Sequence, residues 1–252
     1  IAMKKNKIIR FSLVGVLLAI LCFSLFALLK PNSQQSSSQK LRNEDIKKIS
    51  SQKRNKKLQL PAVSSKDWNL ILVNRDHKHE ELSPDVVPVE NIYLDKRITK
   101  QATQFLEAAR AIDSREHLIS GYRSVAYQEK LFNSYVTQEM TSNPNLTRGQ
   151  AEKLVKTYSQ PAGASEHQTG LAMDMSTVDS LNESDPRVVS QLKKIAPQYG
   201  FVLRFPDGKT AETGVGYEDW HYRYVGVESA KYMAKHHLTL EEYITLLKEN
   251  NQ

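Results

Sequence analysis

Three regimes of apolar and polar positions divide the chain. Phe11 to Leu29 is an unbroken run of nineteen residues without a charge. Pro31 to about Ser65 is polar, with a QQSSSQ stretch at Gln34 to Gln39 and few apolar residues from which to build a core. From Trp68 onward the apolar positions recur at strand and helix periods. There, Trp68 to Val73 (WNLILV) predicts a short buried strand closed by Asn74-Arg75-Asp76, and Pro84 and Pro88 predict an extended loop. Ile98, Ala102, Phe105, Leu106, Ala109 and Ile112 predict a core-facing helix. His117 to Ser120 predicts a strand running into Gly121-Tyr122-Arg123-Ser124, and Tyr127, Leu131, Phe132, Tyr135 and Val136 mark a second helix. A third spans Thr147 to Tyr158, with Thr147 as its cap and Gln150 in the capping-box position.

Leu171 to Met175, Phe201 to Phe205 and Trp220 to Val225 predict further strands, with a helix near Val188 to Ala196. Two helical segments follow, the last opening at the capping box Thr239/Glu242. Mixed elements without strict βαβ alternation place the fold in the α+β class. There is no internal repeat.

About twenty apolar residues span a hydrocarbon core of roughly 30 Å, so 11–29 predicts a transmembrane helix. Lys4, Lys5, Lys7 and Arg10 precede it and favour a cytoplasmic N-terminus. A cleaved signal peptide would have a shorter apolar region and a small-x-small site after it, and no A-x-A pattern follows. A lipoprotein signal would need a small residue just before Cys22, where Ala19-Ile20-Leu21 stands. The expected organisation is a basic cytoplasmic tail (1–10), an uncleaved signal anchor (11–29), a flexible basic linker (30–66) and a folded domain (67–252) facing outward from a single-pass anchor.

Charge then removes a competing class. The formal net charge is +7, but residues 1–57 hold 13 Lys/Arg against 2 Asp/Glu, leaving 22 against 26 for the remainder. A nucleic-acid binder concentrates basic charge on its folded domain, and this chain has a mildly acidic one. The single cysteine excludes a disulfide framework and CxxC zinc or redox sites, so histidines are the available nitrogen ligands.

Three residue groups carry chemistry. In Ser165-Glu166-His167-Gln168-Thr169-Gly170-Leu171-Ala172-Met173-Asp174, period-two geometry puts Gly170, Ala172 and Asp174 on one strand face, leaving room beside the carboxylate, while Leu171, Met173 and Met175 enter a core. His167 lies just ahead of the strand. Glu166, next to it, is expected to be exposed or to act behind the ligands. In Glu218-Asp219-Trp220-His221, His221 supplies a second imidazole, giving His167, Asp174 and His221 as a His₂Asp set. Catalytic zinc takes three protein ligands and keeps a fourth position for water, and Glu218 is placed to serve as that water's base. The third group is Ser120-Gly121-Tyr122-Arg123-Ser124 with Gln128 a turn beyond. Arg123, near a helix N-terminus, suits a carboxylate. His77, His79, His117, His236 and His237 read as surface or core residues.

Together SGYRS, SEHQTGLAMD and EDWH resemble the zinc-dependent D,D- and L,D-carboxypeptidases of the VanY/DacB (LdcB) type, over roughly Trp68 to Leu247. The resemblance implies a compact domain with a small antiparallel sheet flanked by helices, in the hedgehog-like D-Ala-D-Ala peptidase fold. It implies zinc on His167, Asp174 and His221, Glu218 as general base, and Arg123 on the substrate's terminal carboxylate with Gln128 and Ser165 orienting the peptide. The implied activity is removal of C-terminal D-Ala from peptidoglycan stem peptides by a monomeric domain held at the membrane. Tetrapeptide L,D-cleavage is slightly preferred over pentapeptide D,D-cleavage. The alternatives are a wall dipeptidase or endopeptidase, and a zinc-containing wall-binding module without turnover. The role of Glu139 to Gln160 is open.

Overall fold

The computed structural model describes residues 59–179 and 183–252. The expected tail, anchor and most of the linker lie outside them. Residues 59–66 rest on the domain: Leu60 and Val63 pack against its second core cluster, and Gln252 Nε2 donates to the Pro61 carbonyl at 3.0 Å. Among the described residues no helix is long and apolar enough to cross a membrane.

Strands β1 (Val86–Val89) and β2 (Ile92–Asp95) form an antiparallel hairpin, with Val89 opposite Ile92. The stretch between Pro84 and the first helix, read as extended loop, therefore contains paired strands. Pro88 is compatible with this because it stands exposed in a two-stranded sheet, where a missing N–H can face outward. The predicted strand at Trp68 to Val73 is instead a short 3₁₀ turn, Trp68–Leu70, followed by extended chain. Its carbonyls serve side chains rather than a ladder. Arg223 Nη2 donates to Asn69 and Ile71, and the Leu72 carbonyl meets His79 Nε2 at 2.9 Å.

Helix α1 (Thr99–Ile112) buries Ala102, Phe105, Leu106 and Ala109, the positions its periodicity selects. Strand β3 (His117–Ser120) leads to α2 (Val125–Ser142) and α3 (Arg148–Val155), which pack together around Phe132, Val136, Ala151 and Val155. The Thr147/Gln150 capping box is present at the start of α3. Strand β4 (Ala172–Ser176), helix α4 (Pro186–Ile195), strand β5 (Phe201–Leu203), the single-turn α5 (Thr210–Thr213) and strand β6 (His221–Tyr224) follow. Helices α6 (Val227–His236) and α7 (Leu240–Glu249) end the chain, the latter opened by the Thr239/Glu242 capping box.

β3, β4, β6 and β5 form one antiparallel sheet in that order. Alternation sorts its side chains into two faces. Leu118, Met173, Met175, Tyr222, Phe201 and Leu203 join α1 and α4 in the main core. Val202 packs in a second cluster with α6 and α7. The α+β class with a small antiparallel sheet flanked by helices agrees with the sequence reading.

Candidate metal centre

The site is set by sheet register. Asp174 on β4 pairs with His221 on β6. The flanking pairs carry the ladder bonds, since Tyr224 N donates to Leu171 O and Met175 N to Trp220 O. Asp174 and His221 thus form a non-hydrogen-bonded pair, the type that brings facing side chains closest. His221 Nδ1 lies 3.3 Å from Asp174 Oδ1.

His167 comes from outside the sheet. A 3₁₀ turn, Glu166–Thr169, ends at Gly170 with φ 66° before β4 begins. A Cβ at Gly170 would meet the Asp95 backbone nitrogen at 2.9 Å, so both the turn and its seat against β2 require glycine. The His167 ring puts Nε2 3.4 Å from Asp174 Oδ2, while Nδ1 lies 2.7 Å from the Gly121 carbonyl and donates to it in the tautomer that frees Nε2. Gly121 also needs its missing side chain, because a Cβ there would sit 2.4 Å from the Tyr93 carbonyl oxygen.

His167, Asp174 and His221 each offer one ligand atom, all within 4.8 Å of one another, and all three residues are buried. Two imidazole nitrogens and a carboxylate are a donor set suited to zinc. Asp174 Oδ1 is buried and receives no hydrogen bond from the protein, as expected of an oxygen reserved for a cation. Burial and the nearby Arg123 push the His167 pKa down to about 4, so its imidazole is neutral and ligand-ready at physiological pH. Burial opposes the charge on Asp174, but His167, His221 and Arg123 hold its carboxyl well below the usual range.

Behind His221 stands Glu166. Both it and His167 face inward because the segment is a 3₁₀ turn rather than a strand, which removes the exposed alternative for Glu166. Its Oε1 accepts from Arg204 Nε at 2.8 Å and Arg223 Nη1 at 2.7 Å, and its Oε2 lies 3.5 Å from His221 Nε2. Burial opposes ionisation of Glu166, yet the two arginines hold it far below the ordinary carboxylate range. Burial lowers the His221 pKa, but Glu166, Asp174 and Glu218 outweigh it and raise the value. The sequence reading did not single out Arg204 or Arg223. A signal existed for the second, which lies two residues after His221 on the same face of β6.

Glu218 Oε2 lies 3.5 Å from His221 Nδ1 without belonging to the three-residue ligand cluster. Burial, with a contribution from Asp174 against the pull of His221, pushes its pKa up to about 8. These residues open on one pocket, also lined by Arg123, Gln128, Ser165, Phe205 and Trp220. Arg123 is held by its backbone N–H, which donates to His167 O at 3.2 Å, just before Ser124 caps α2 through Tyr127 N. Gln128 is buried and donates to the Gln160 carbonyl at 2.6 Å. Ser165 sits at the mouth of the 3₁₀ turn without using its side chain as a cap. Every residue singled out as a site residue therefore lines the same pocket, and among the described residues no other histidine joins a metal-binding cluster.

Residues 91–227, more than half of the chain, match the VanY family, described as D-alanyl-D-alanine carboxypeptidase. The chain belongs to the VanY family. A D-alanyl-D-alanine carboxypeptidase of Enterococcus faecalis is 34% identical over 186 residues, covering 71% of this chain and 66% of its own, so the match leaves a third of that relative unaccounted for. Among solved VanY-type folds, a mutant vancomycin-resistance D,D-pentapeptidase VanY in complex with Zn(II) superposes with a TM-score of 0.63 at 34% identity, over 71% of this chain and 99% of that one. The LdcB LD-carboxypeptidase gives 0.57 at 32% identity, over 71% and 86%. Zinc, the ion in that VanY complex, is the cofactor that the His167/Asp174/His221 donor set fits.

Proposed function

We propose that the chain is a zinc-dependent carboxypeptidase that releases the C-terminal D-Ala of peptidoglycan stem peptides, with tetrapeptide L,D-cleavage preferred. The observation that carries this is the buried His167/Asp174/His221 set with Glu218 beside it and Arg123 in the same pocket. His167, Asp174 and His221 would hold the zinc, which would supply carbonyl polarisation and ease deprotonation of water at neutral pH. Glu218, 3.5 Å from His221 Nδ1 and free of the ligand cluster, accepts a proton from the attacking water and returns it to the leaving amine. Arg123 binds the free carboxylate, restricting cleavage to the last residue. Phe205 and Trp220 wall the pocket and limit water around the reacting carbonyl. The Gly121 carbonyl and Glu166 fix the rear nitrogens of the two imidazoles, orienting their ligand atoms.

The reading includes an outward-facing, membrane-tethered, monomeric domain acting in wall remodelling. The nineteen-residue apolar run at 11–29 supports the tether, since stem peptides lie outside the membrane. Mass spectrometry of muropeptides digested with the zinc-loaded chain tests the activity. Conversion of tetrapeptides to tripeptides is expected, and pentapeptide-to-tetrapeptide conversion alone would assign D,D-cleavage, which the enterococcal relatives favour. Release of dipeptides, or of nothing, would overturn the carboxypeptidase reading.

A further inference from the structure

The pocket wall opposite the sheet is made by the chain leaving α3. Tyr158, Ser159 and Gln160 line it beside Gln128 and Tyr135 of α2. This wall is braced at two points. Tyr158 OH donates to Glu139 Oε1 at 2.8 Å, and Gln128 Nε2 donates to the Gln160 carbonyl. Pro161 follows Gln160 and restricts its backbone to extended conformations, which fixes where its side chain departs.

Apart from atoms of the metal cluster and of Glu166 behind it, three polar atoms on residues lining the pocket are buried and have no hydrogen-bond partner in the protein: Arg123 Nε, Gln160 Nε2 and Gln128 Oε1. Leaving such a group unmatched costs about 1–3 kcal/mol each, so these three together are a costly arrangement unless a ligand matches them. They comprise two donors and one acceptor. A C-terminal amino-acid residue presents the complement, two carboxylate oxygens that accept and one amide N–H that donates.

We propose that Gln160 determines specificity for a free C-terminus, its amide donating to the terminal carboxylate alongside Arg123 while Gln128 Oε1 receives the N–H of the same residue. This rests on the carboxypeptidase reading and extends it to a residue of the 139–160 segment. Arg123 supplies charge, and Gln160 supplies a neutral second donor that reads the carboxylate's other oxygen.

The test compares zinc-loaded wild type, Gln160→Met and Gln160→Glu on one stem peptide ending either in D-Ala or in D-alaninamide. Methionine keeps the length and removes the donor; glutamate faces the carboxylate with a like charge and serves if the methionine variant does not fold. The acid-over-amide ratio in kcat/KM is expected to fall about ten- to a hundredfold in Gln160→Met, mainly through KM, the range given by a hydrogen bond to a charged group. The fall is expected to be larger in Gln160→Glu. An unchanged ratio with lower overall activity would mean a structural role and overturn the proposal. Calorimetric binding of both peptides in a Glu218→Gln background separates this from the parent reading. Loss of acid preference on binding, with no turnover by the wild type, would support Gln160 and sink the peptidase assignment. Binding without acid preference in any variant would overturn the Gln160 assignment.

Discussion

Glu166 Oε2 lies 3.5 Å from His221 Nε2 while its other oxygen is shared by Arg204 and Arg223. The residue beside one metal-binding histidine in sequence is thus the rear support of the other. A single carboxylate bridges two buried guanidinium groups, with Glu241 supplying the second negative charge, and orients an imidazole. Removing its charge should show up both in folding and in metal affinity.

For Glu166→Gln, stability is expected to fall by about 3–5 kcal/mol, the usual effect of breaking a buried ion pair from one side. Arg204 would retain Glu241, but Arg223 would keep only backbone carbonyls. Zinc affinity is expected to drop about 10–100-fold. Urea unfolding and competition with a chromophoric chelator measure the two effects separately.

Glu218→Gln should leave zinc bound and lower kcat by about 10²–10⁴, the contribution of a positioned proton-transfer group. His221→Ala, by contrast, should lose both metal and turnover. Metal content after dialysis distinguishes them. A Glu218→Gln protein that emerged metal-free would make Glu218 a ligand rather than a base.

Zinc removal should lower the melting temperature and zinc should restore it, because His167, Asp174 and His221 converge only in the folded chain and an ion held by them stabilises that state alone. A ligand at 100 times its Kd adds about 2.7 kcal/mol of stability. A melting temperature indifferent to chelator and zinc would count against the site.

Glu116 makes a pH prediction away from the metal. It precedes β3, is almost fully buried, and neither carboxylate oxygen has a hydrogen-bond partner. Burial, with Asp113 nearby, pushes its pKa up to about 7 from 4.5. The folded state therefore holds this proton in a window where the unfolded state has released it. Its contribution is fully present below about pH 4.5 and is lost as the pH rises through 7, by about 3 kcal/mol in total. Comparing melts of wild type and Glu116→Gln at pH 5 and pH 8 checks the sign, since the glutamine variant should lose less stability across that interval.

Gly170→Ala should destabilise the fold by about 1–2 kcal/mol from the left-handed backbone alone, with more from the approach to Asp95. It should also weaken zinc binding, because Gly170 closes the turn that delivers His167. A variant with normal zinc affinity would show that the turn relaxes without moving the imidazole.

The convergence of His167, Asp174 and His221 was legible because these residues lie in short motifs whose spacing survives folding. The α1 helix and both capping boxes were legible for a similar reason, each being decided by neighbours within one or two turns. Trp68 to Val73 misled because strand composition does not show that Arg223 and His79, distant or off-register, will engage its carbonyls. Pro88 hid a hairpin whose exposed strand has no need of that N–H. Of the two positions open to Glu166, exposed or behind the ligands, the second holds, and exposure was in play only because strand alternation was applied to a turn. Gln160 carried no signal of its own, since its place on the pocket arises from packing α3 against α2.

The pairing of Arg204 with Glu241 joins α7 to the catalytic face, and Glu241 Oε1 also accepts from Asn74 Nδ2, a residue on the pocket rim. A helix formed some twenty residues after His221 therefore reaches the His221 imidazole through Arg204 and Glu166, and the pocket rim through Asn74. Slippage of α7 by a fraction of a turn would be felt as a change in imidazole basicity and rim shape, although no residue of that helix lines the pocket.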